Sequence, residues 1–226
     1  VPQLPFDFAV EPSYAEEDFL VAAGNAEAQG WLLRWPDWPA PGLVLFGPPG
    51  CGKTHLGRIW LRRSGAMALP AAALAAVDAP PPAPRGAILI DDVDSAAWTP
   101  AAERRLLHLY NRVAEQKGHL LFCASQPPAR WALALRDLRS RLLALPAVAI
   151  AEPDDDLLRM LLAKLFSDRQ LAVDADTVEF ALRRIERSFD AARRLVHAVD
   201  RASLTSRRRL SPALLREVLK ALERPT

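Results

Sequence analysis

The chain has 226 residues, half of them hydrophobic, and a net charge of only +2. That length holds one compact domain plus a smaller one, each with its own core, and the basic pI near 8.8 permits a nucleic-acid partner without arguing for one. Two cysteines fit neither a disulfide framework nor a metal cluster, no basic-then-apolar leader opens the chain, and no apolar run approaches the roughly 20 residues of a membrane helix, so a reducing cytoplasm is the expected setting.

Residues 1–12 are apolar but interrupted by Pro2, Pro5 and Pro12, which predicts an extended tail. A helix is predicted over 25–35, ended by the prolines that follow. The apolar run 43–46 reads as a buried strand and 54–63 as the helix after it. Residues 79–84 are proline-rich and predict a loop. A second strand covers 87–90, a helix 100–117, a third strand 120–124 and a short fourth strand 148–151. Strands alternating with helices imply a parallel sheet covered on both faces, an α/β class. Beyond Pro153 the strand signals stop. Helices are predicted over 154–168, 174–187, 190–206 and 211–223, which places a domain boundary near 152 and a small all-α domain after it.

The sharpest local signal is the octet Gly47, Pro48, Pro49, Gly50, Cys51, Gly52, Lys53 and Thr54. It fits G-x-x-x-x-G-K-[ST] between a strand and a helix, the setting in which that spacing binds phosphate. Glycines let backbone N–H groups turn inward, and the helix presents its positive end. Lys53 adds a cation near the β- and γ-phosphates, and the Thr54 hydroxyl can ligate Mg²⁺. At the end of the second strand stand Asp91 and Asp92. Alone they read equally well as a helix-capping pair. Beside a phosphate loop, Asp91 would hold Mg²⁺ through water and Asp92 would orient or activate the attacking water.

Several segments together resemble one family. They are the glycine-rich octet, Ile90-Asp91-Asp92, Leu109-Tyr110-Asn111-Arg112, Ser125-Gln126-Pro127-Pro128, Asp137-Leu138-Arg139-Ser140-Arg141-Leu142, and Asp200-Arg201-Ala202-Ser203. In this order they are similar to the DnaA family of bacterial replication initiators and, more closely, to its short Hda-like paralogues. The resemblance implies an AAA+ P-loop fold, with a nucleotide-binding αβα domain over 13–152 followed by an α-helical lid over 153–226. It also implies bound ADP or ATP with Mg²⁺. The initiators carry a C-terminal helix-turn-helix domain; a chain ending at Thr226 has no room for one, so no sequence-specific DNA binding is expected. The paralogues' role is to promote hydrolysis of DnaA-bound ATP while docked on the DNA polymerase sliding clamp (β subunit), which implies a negative regulator of initiation, associated with the replisome.

Residue by residue, the resemblance marks Gln3, Leu4, Phe6 and Phe8 as a clamp-binding motif, with Pro5 holding the tail extended so that apolar side chains enter a groove. The bland alternative is a tail folded on its own domain. Arg141 matches the arginine finger that reaches a neighbour's nucleotide, an effect worth about 10³–10⁵ in rate where it operates. The alternative is a surface ion pair. Phe19, Leu20 and Val21 match the adenine side of the pocket. His55 matches a residue packed under the loop. Ser125 stands at a sensor position where the initiators carry Asp. Asp190 stands where the family has its lid arginine, with Arg193 and Arg194 nearby as substitutes, which predicts weak ATPase activity of the protein's own. His108 and His119 read as structural. Trp31, Trp35 and Trp38 read as core or as an adenine cover. The run of arginines at 207–209 reads as a solvated helix end. Homo-oligomers through the finger face are allowed. A rival reading is an autonomous AAA+ ATPase that loads or remodels a helicase, and a further one is a regulator that occupies origin DNA.

Overall fold

The computed structural model describes residues 19–75, 86–95, 98–206 and 210–222. The predicted tail with Gln3, Leu4, Phe6 and Phe8, the proline-rich stretch and the arginines at 207–209 lie outside them. The described chain divides into two compact units, with the break between Ala151 and Glu152.

In the first unit five strands form a parallel sheet: β1 Gly42–Phe46, β2 Met67–Pro70, β3 Ala87–Asp91, β4 His119–Ala124 and β5 Ala147–Ala149, in spatial order β2-β3-β4-β1-β5. Alternation along each strand sorts the core into two layers. Val44, Ile88, Ile90, Leu120 and Phe122 face one way. They pack on Leu106, Leu109 and Val113 of α3 (Pro100–Glu115) and on Leu138 and Leu142 of α4 (Arg136–Leu143). Leu43, Leu45, Leu89, Leu121 and Cys123 face the other way, onto Leu32 of α1 (Ala26–Leu33) and Leu56 and Trp60 of α2 (Lys53–Ser64). Both faces of the sheet are therefore apolar, as runs without polar alternation require.

The predicted strands and helices recur with shifted ends. One strand was not foreseen: β2, whose Met67, Ala68, Leu69 and Pro70 pair with Ile88, Leu89, Ile90 and Asp91 of β3. Its alanine and proline carry little strand preference, and the proline is tolerated because β2 is the edge. Trp38 stacks on Trp60 with ring centroids 5.6 Å apart, and both Trp35 and Trp38 meet His119 edge-on. These ring contacts make the tryptophan cluster core packing, and the same burial depresses the His119 pKa.

The second unit is helical: α5 Asp155–Asp168, α6 Ala175–Leu182, α7 Phe189–Ser206 and α8 Pro212–Leu222. Asp154 and Asp174 cap α5 and α6 by accepting the N–H groups of Leu157 and Thr177, each at 2.7 Å. Leu195, Val196 and Val199 of α7 and Leu214, Leu215, Val218 and Leu219 of α8 are the buried stripes expected from their spacing. The helix predicted over 174–187 ends at Leu182.

Candidate functional site

The loop after β1 is shaped by positions that only glycine tolerates. A Cβ on Gly47 would lie 2.2 Å from the Ile150 carbonyl oxygen. Gly50 and Gly52 have φ of 72° and 100°, a region side chains disfavour. Gly52 is the N-cap of α2, so the loop leads straight into the helix's free N–H groups. Gly47 donates to the Ala124 carbonyl at 3.2 Å, fastening the loop to the end of β4. Lys53 folds over the loop: its ammonium donates to the carbonyls of Gly47 and Pro48, each at 2.7 Å. Cys51 is buried, and burial raises its pKa more than Lys53 lowers it, so it is a packed thiol. His55 is buried with its ring edge-on to Phe19 at 5.3 Å.

The parallel register brings the two motifs together. β1 and β3 both flank β4, so the octet and Asp91 emerge at the same sheet edge. The Thr54 hydroxyl donates to Asp91 Oδ2 at 3.3 Å. Burial first, then repulsion from Asp92, raises the Asp91 pKa; bonds from the Asp92 N–H and Thr54 and the charge of Lys53 work against this. A hydroxyl touching a desolvated carboxylate beside a phosphate loop suits a hard cation that keeps most of its waters, as Mg²⁺ does. Among the described residues no group of three or more His, Cys, Asp or Glu forms a self-sufficient metal site. The donor set therefore fits a metal that arrives with a polyphosphate. Asp92 takes a positive φ of 52°, a strained setting for a side chain at the strand's end.

Ser125 stands beside this site with a different partner from the one expected. Its hydroxyl donates to Asp94, whose carboxylate also accepts the N–H groups of Ser125 and Gln126 at 2.9 and 2.8 Å. Burial opposes the charge on Asp94, but these bonds outweigh it and hold the carboxyl below its ordinary value. The one hydroxyl proton of Ser125 is thus committed to a carboxylate, which disfavours a phosphate contact at that atom. Asp94 was not singled out from sequence, because nothing in a lone Asp three residues after Asp91 reports the turn that brings it to β4.

Arg141 lies on α4 with its side chain 41% exposed. Its Nε donates to Asp137 Oδ1 at 2.9 Å, and its guanidinium carbon lies 5.8 Å from the centre of the Tyr110 ring. The ion pair expected of a bland surface arginine is present, and so is the exposure a finger needs. Leu20 is half-buried and Val21 exposed, and the Leu20 carbonyl accepts the Asn25 amide at 3.0 Å, which fixes this segment against α1. In the second unit, Asp190 and Arg194 are exposed, Arg194 pairs with Glu186 at 3.7 Å, and Arg193 is half-buried on α7.

No protein-family model matches the chain. Solved structures similar to it include domain III of the replication initiation protein DnaA from Thermotoga maritima, with a TM-score of 0.80 at 17% identity over 95% of this chain and 99% of that one. The replication initiator DnaA bound to AMPPCP and single-stranded DNA gives 0.68 at 16% identity, over 88% of this chain and 70% of that one. The RuvB Holliday junction branch migration motor of Thermotoga maritima gives 0.62 at 18%, over 80% and 62%. The fold is a DnaA-like AAA+ fold. At these identities the likeness carries no finer assignment.

Proposed function

We propose that this chain is an adenine-nucleotide-binding AAA+ protein of replication control, which stimulates hydrolysis of ATP held by DnaA. The observation that carries the reading is the pairing, in one DnaA-like domain, of a complete phosphate loop with an accessible, braced arginine on α4. Gly47, Pro48, Pro49, Gly50, Cys51 and Gly52 cradle the polyphosphate with backbone N–H groups, and Lys53 moves from its carbonyl partners to phosphate oxygens. Thr54 and Asp91 hold Mg²⁺, which neutralises phosphate charge when bound. Phe19, Leu20 and Val21 serve the adenine end.

The protein's own turnover is weak in this reading. Ser125 has spent its hydroxyl on Asp94, and in the sequence an acid, Asp190, stands where the family has its lid arginine. Arg141 acts instead on the ATP of the partner, where a guanidinium neutralises charge developing on the γ-phosphoryl group. Gln3, Leu4, Phe6 and Phe8 tether the protein to the sliding clamp and so raise its concentration near loaded DnaA. The test is reconstitution: DnaA loaded with ATP, this protein and clamp on DNA, with ADP measured over time. Deleting residues 1–12 should remove capture by immobilised clamp and the clamp dependence of the rate. Clamp capture that survives the deletion would refute the tether.

The likeness of the fold to the RuvB branch migration motor and the acidic pair Asp91-Asp92 favour a second reading, an autonomous motor or helicase loader. Rapid ATP turnover without DnaA, lost in Asp92→Asn, would replace the first reading with this one.

A further inference from the structure

We infer that Glu103 is a positioning residue for Arg141, acting by anchoring the backbone that enters α4 to a different helix. This rests on the reading of Arg141 as the trans-acting group. Glu103 lies in the first turn of α3, where an acidic residue normally sits in solvent and complements the helix dipole. Here it is only 2% exposed. Its carboxylate turns away from its own helix and accepts the N–H groups of Ala134 and Leu135 at 3.0 and 2.6 Å. Leu135 is the N-cap residue of α4 and has no side chain able to cap. Glu103 instead anchors the two residues that lead into α4 through their own N–H groups.

The same helix also meets the far end of α4. Tyr110 is seven residues after Glu103, two turns along the same stripe and about 10 Å along the axis. Its ring faces the Arg141 guanidinium. Between these contacts, Leu138 and Leu142 seat α4 in the core at 0% and 1% exposure. An eight-residue helix held at its start by Glu103, in its middle by two leucines and at its end by Tyr110 has a fixed direction. Only a fixed helix delivers Arg141 to the same place each time. Burying a carboxylate is costly and must be offset by good hydrogen bonds, and simple core filling at this site would be met by an apolar residue.

The experiment compares Glu103→Gln and Glu103→Asp with the unaltered protein, each alone and combined with Arg141→Ala. A displacement of about 1 Å in a catalytic group costs up to about 10²-fold. Glu103→Gln, which offers one acceptor where two are used, should therefore lower the maximal rate of stimulated DnaA ATPase by about tenfold or more. Affinity for ADP and the concentration giving half-maximal stimulation should stay unchanged. Exchange of the Ala134 and Leu135 amides with deuterium should accelerate. In the Arg141→Ala background the Glu103 substitution should add nothing. Unchanged amide exchange, an additive loss in the double variant, or a loss of ADP affinity equal to the loss of rate would each overturn the inference. If both Glu103 variants lose the thermal transition, the carboxylate holds the core and not the helix, and the inference also falls. If Arg141→Ala leaves stimulation intact, the parent reading fails, and the amide exchange still reports on the Glu103 anchor by itself.

Discussion

Gly47→Ala tests the loop at its tightest point. A Cβ there would lie 2.2 Å from the Ile150 carbonyl oxygen and 3.0 Å from the Cys51 sulfur. Ordinary contact begins near about 3.5 Å, so more than about 1 Å must be found. The obstacle is backbone, and Ile150 is tied to the sheet by donating to the Phe46 carbonyl at 2.7 Å. It has no rotamer to change, so the loop must move. Overpacking of this kind costs about 1–3 kcal/mol. At about 2–4 °C per kcal/mol for a chain of this size, the melting temperature should fall by about 2–12 °C. Because Gly47 opens the loop whose backbone N–H groups would cradle the phosphates, the shifted loop should bind ADP about tenfold more weakly or worse, in line with one misplaced charge-assisted hydrogen bond. Thermal melts and titration with a fluorescent ADP analogue measure both. A variant that melts with the wild type and binds ADP equally would show that the crowding at Gly47 does not constrain the loop.

Asp91→Asn should stabilise the nucleotide-free protein while weakening Mg²⁺-dependent binding. The Asp91 pKa is raised on folding, so the folded state holds that proton more tightly. Its favourable contribution is complete below the unfolded pKa and lost as pH rises through the folded value. The variant's advantage in melting temperature should therefore grow as pH rises through the folded value and vanish below about pH 4. Lys53→Ala should weaken ADP binding by about 10–100-fold, the loss of one charge-assisted contact, as read by calorimetry. Asp94→Asn should lower the melting temperature at neutral pH. The Asp94 pKa is lowered on folding, so its stabilisation is present above the unfolded value and lost as pH falls through the folded one. Equal melts for wild type and Asp94→Asn across that range would remove Asp94 from the β3–β4 link.

The site was legible where chemistry is local in sequence. The glycines, Lys53 and Thr54 lie within eight residues, and an apolar strand marks where Asp91 must emerge. What escaped depends on tertiary placement. Glu103 looks like any acid in a first helical turn until the segment around Ala134 and Leu135 is seen against it. Asp94 and Ser125 are thirty-one residues apart and meet only because β3 and β4 are neighbours. β2 hid for a related reason: Met67–Pro70 has no periodicity of its own and is a strand because β3 offers an edge. Conversely, the role of Arg141 was suggested by likeness, and its exposure and bracing were supplied by the fold.

The account turns on whether Arg141 acts on a nucleotide that this protein does not itself hold. The direct measurement is single-turnover hydrolysis of ATP on DnaA, with clamp loaded on DNA, in the presence of wild-type protein or Arg141→Ala at equal ADP occupancy. The account predicts stimulation by the wild type and a loss of about 10³-fold or more from the stimulated rate, or its fall to the basal rate, in the variant. Equal stimulation by both proteins would contradict it.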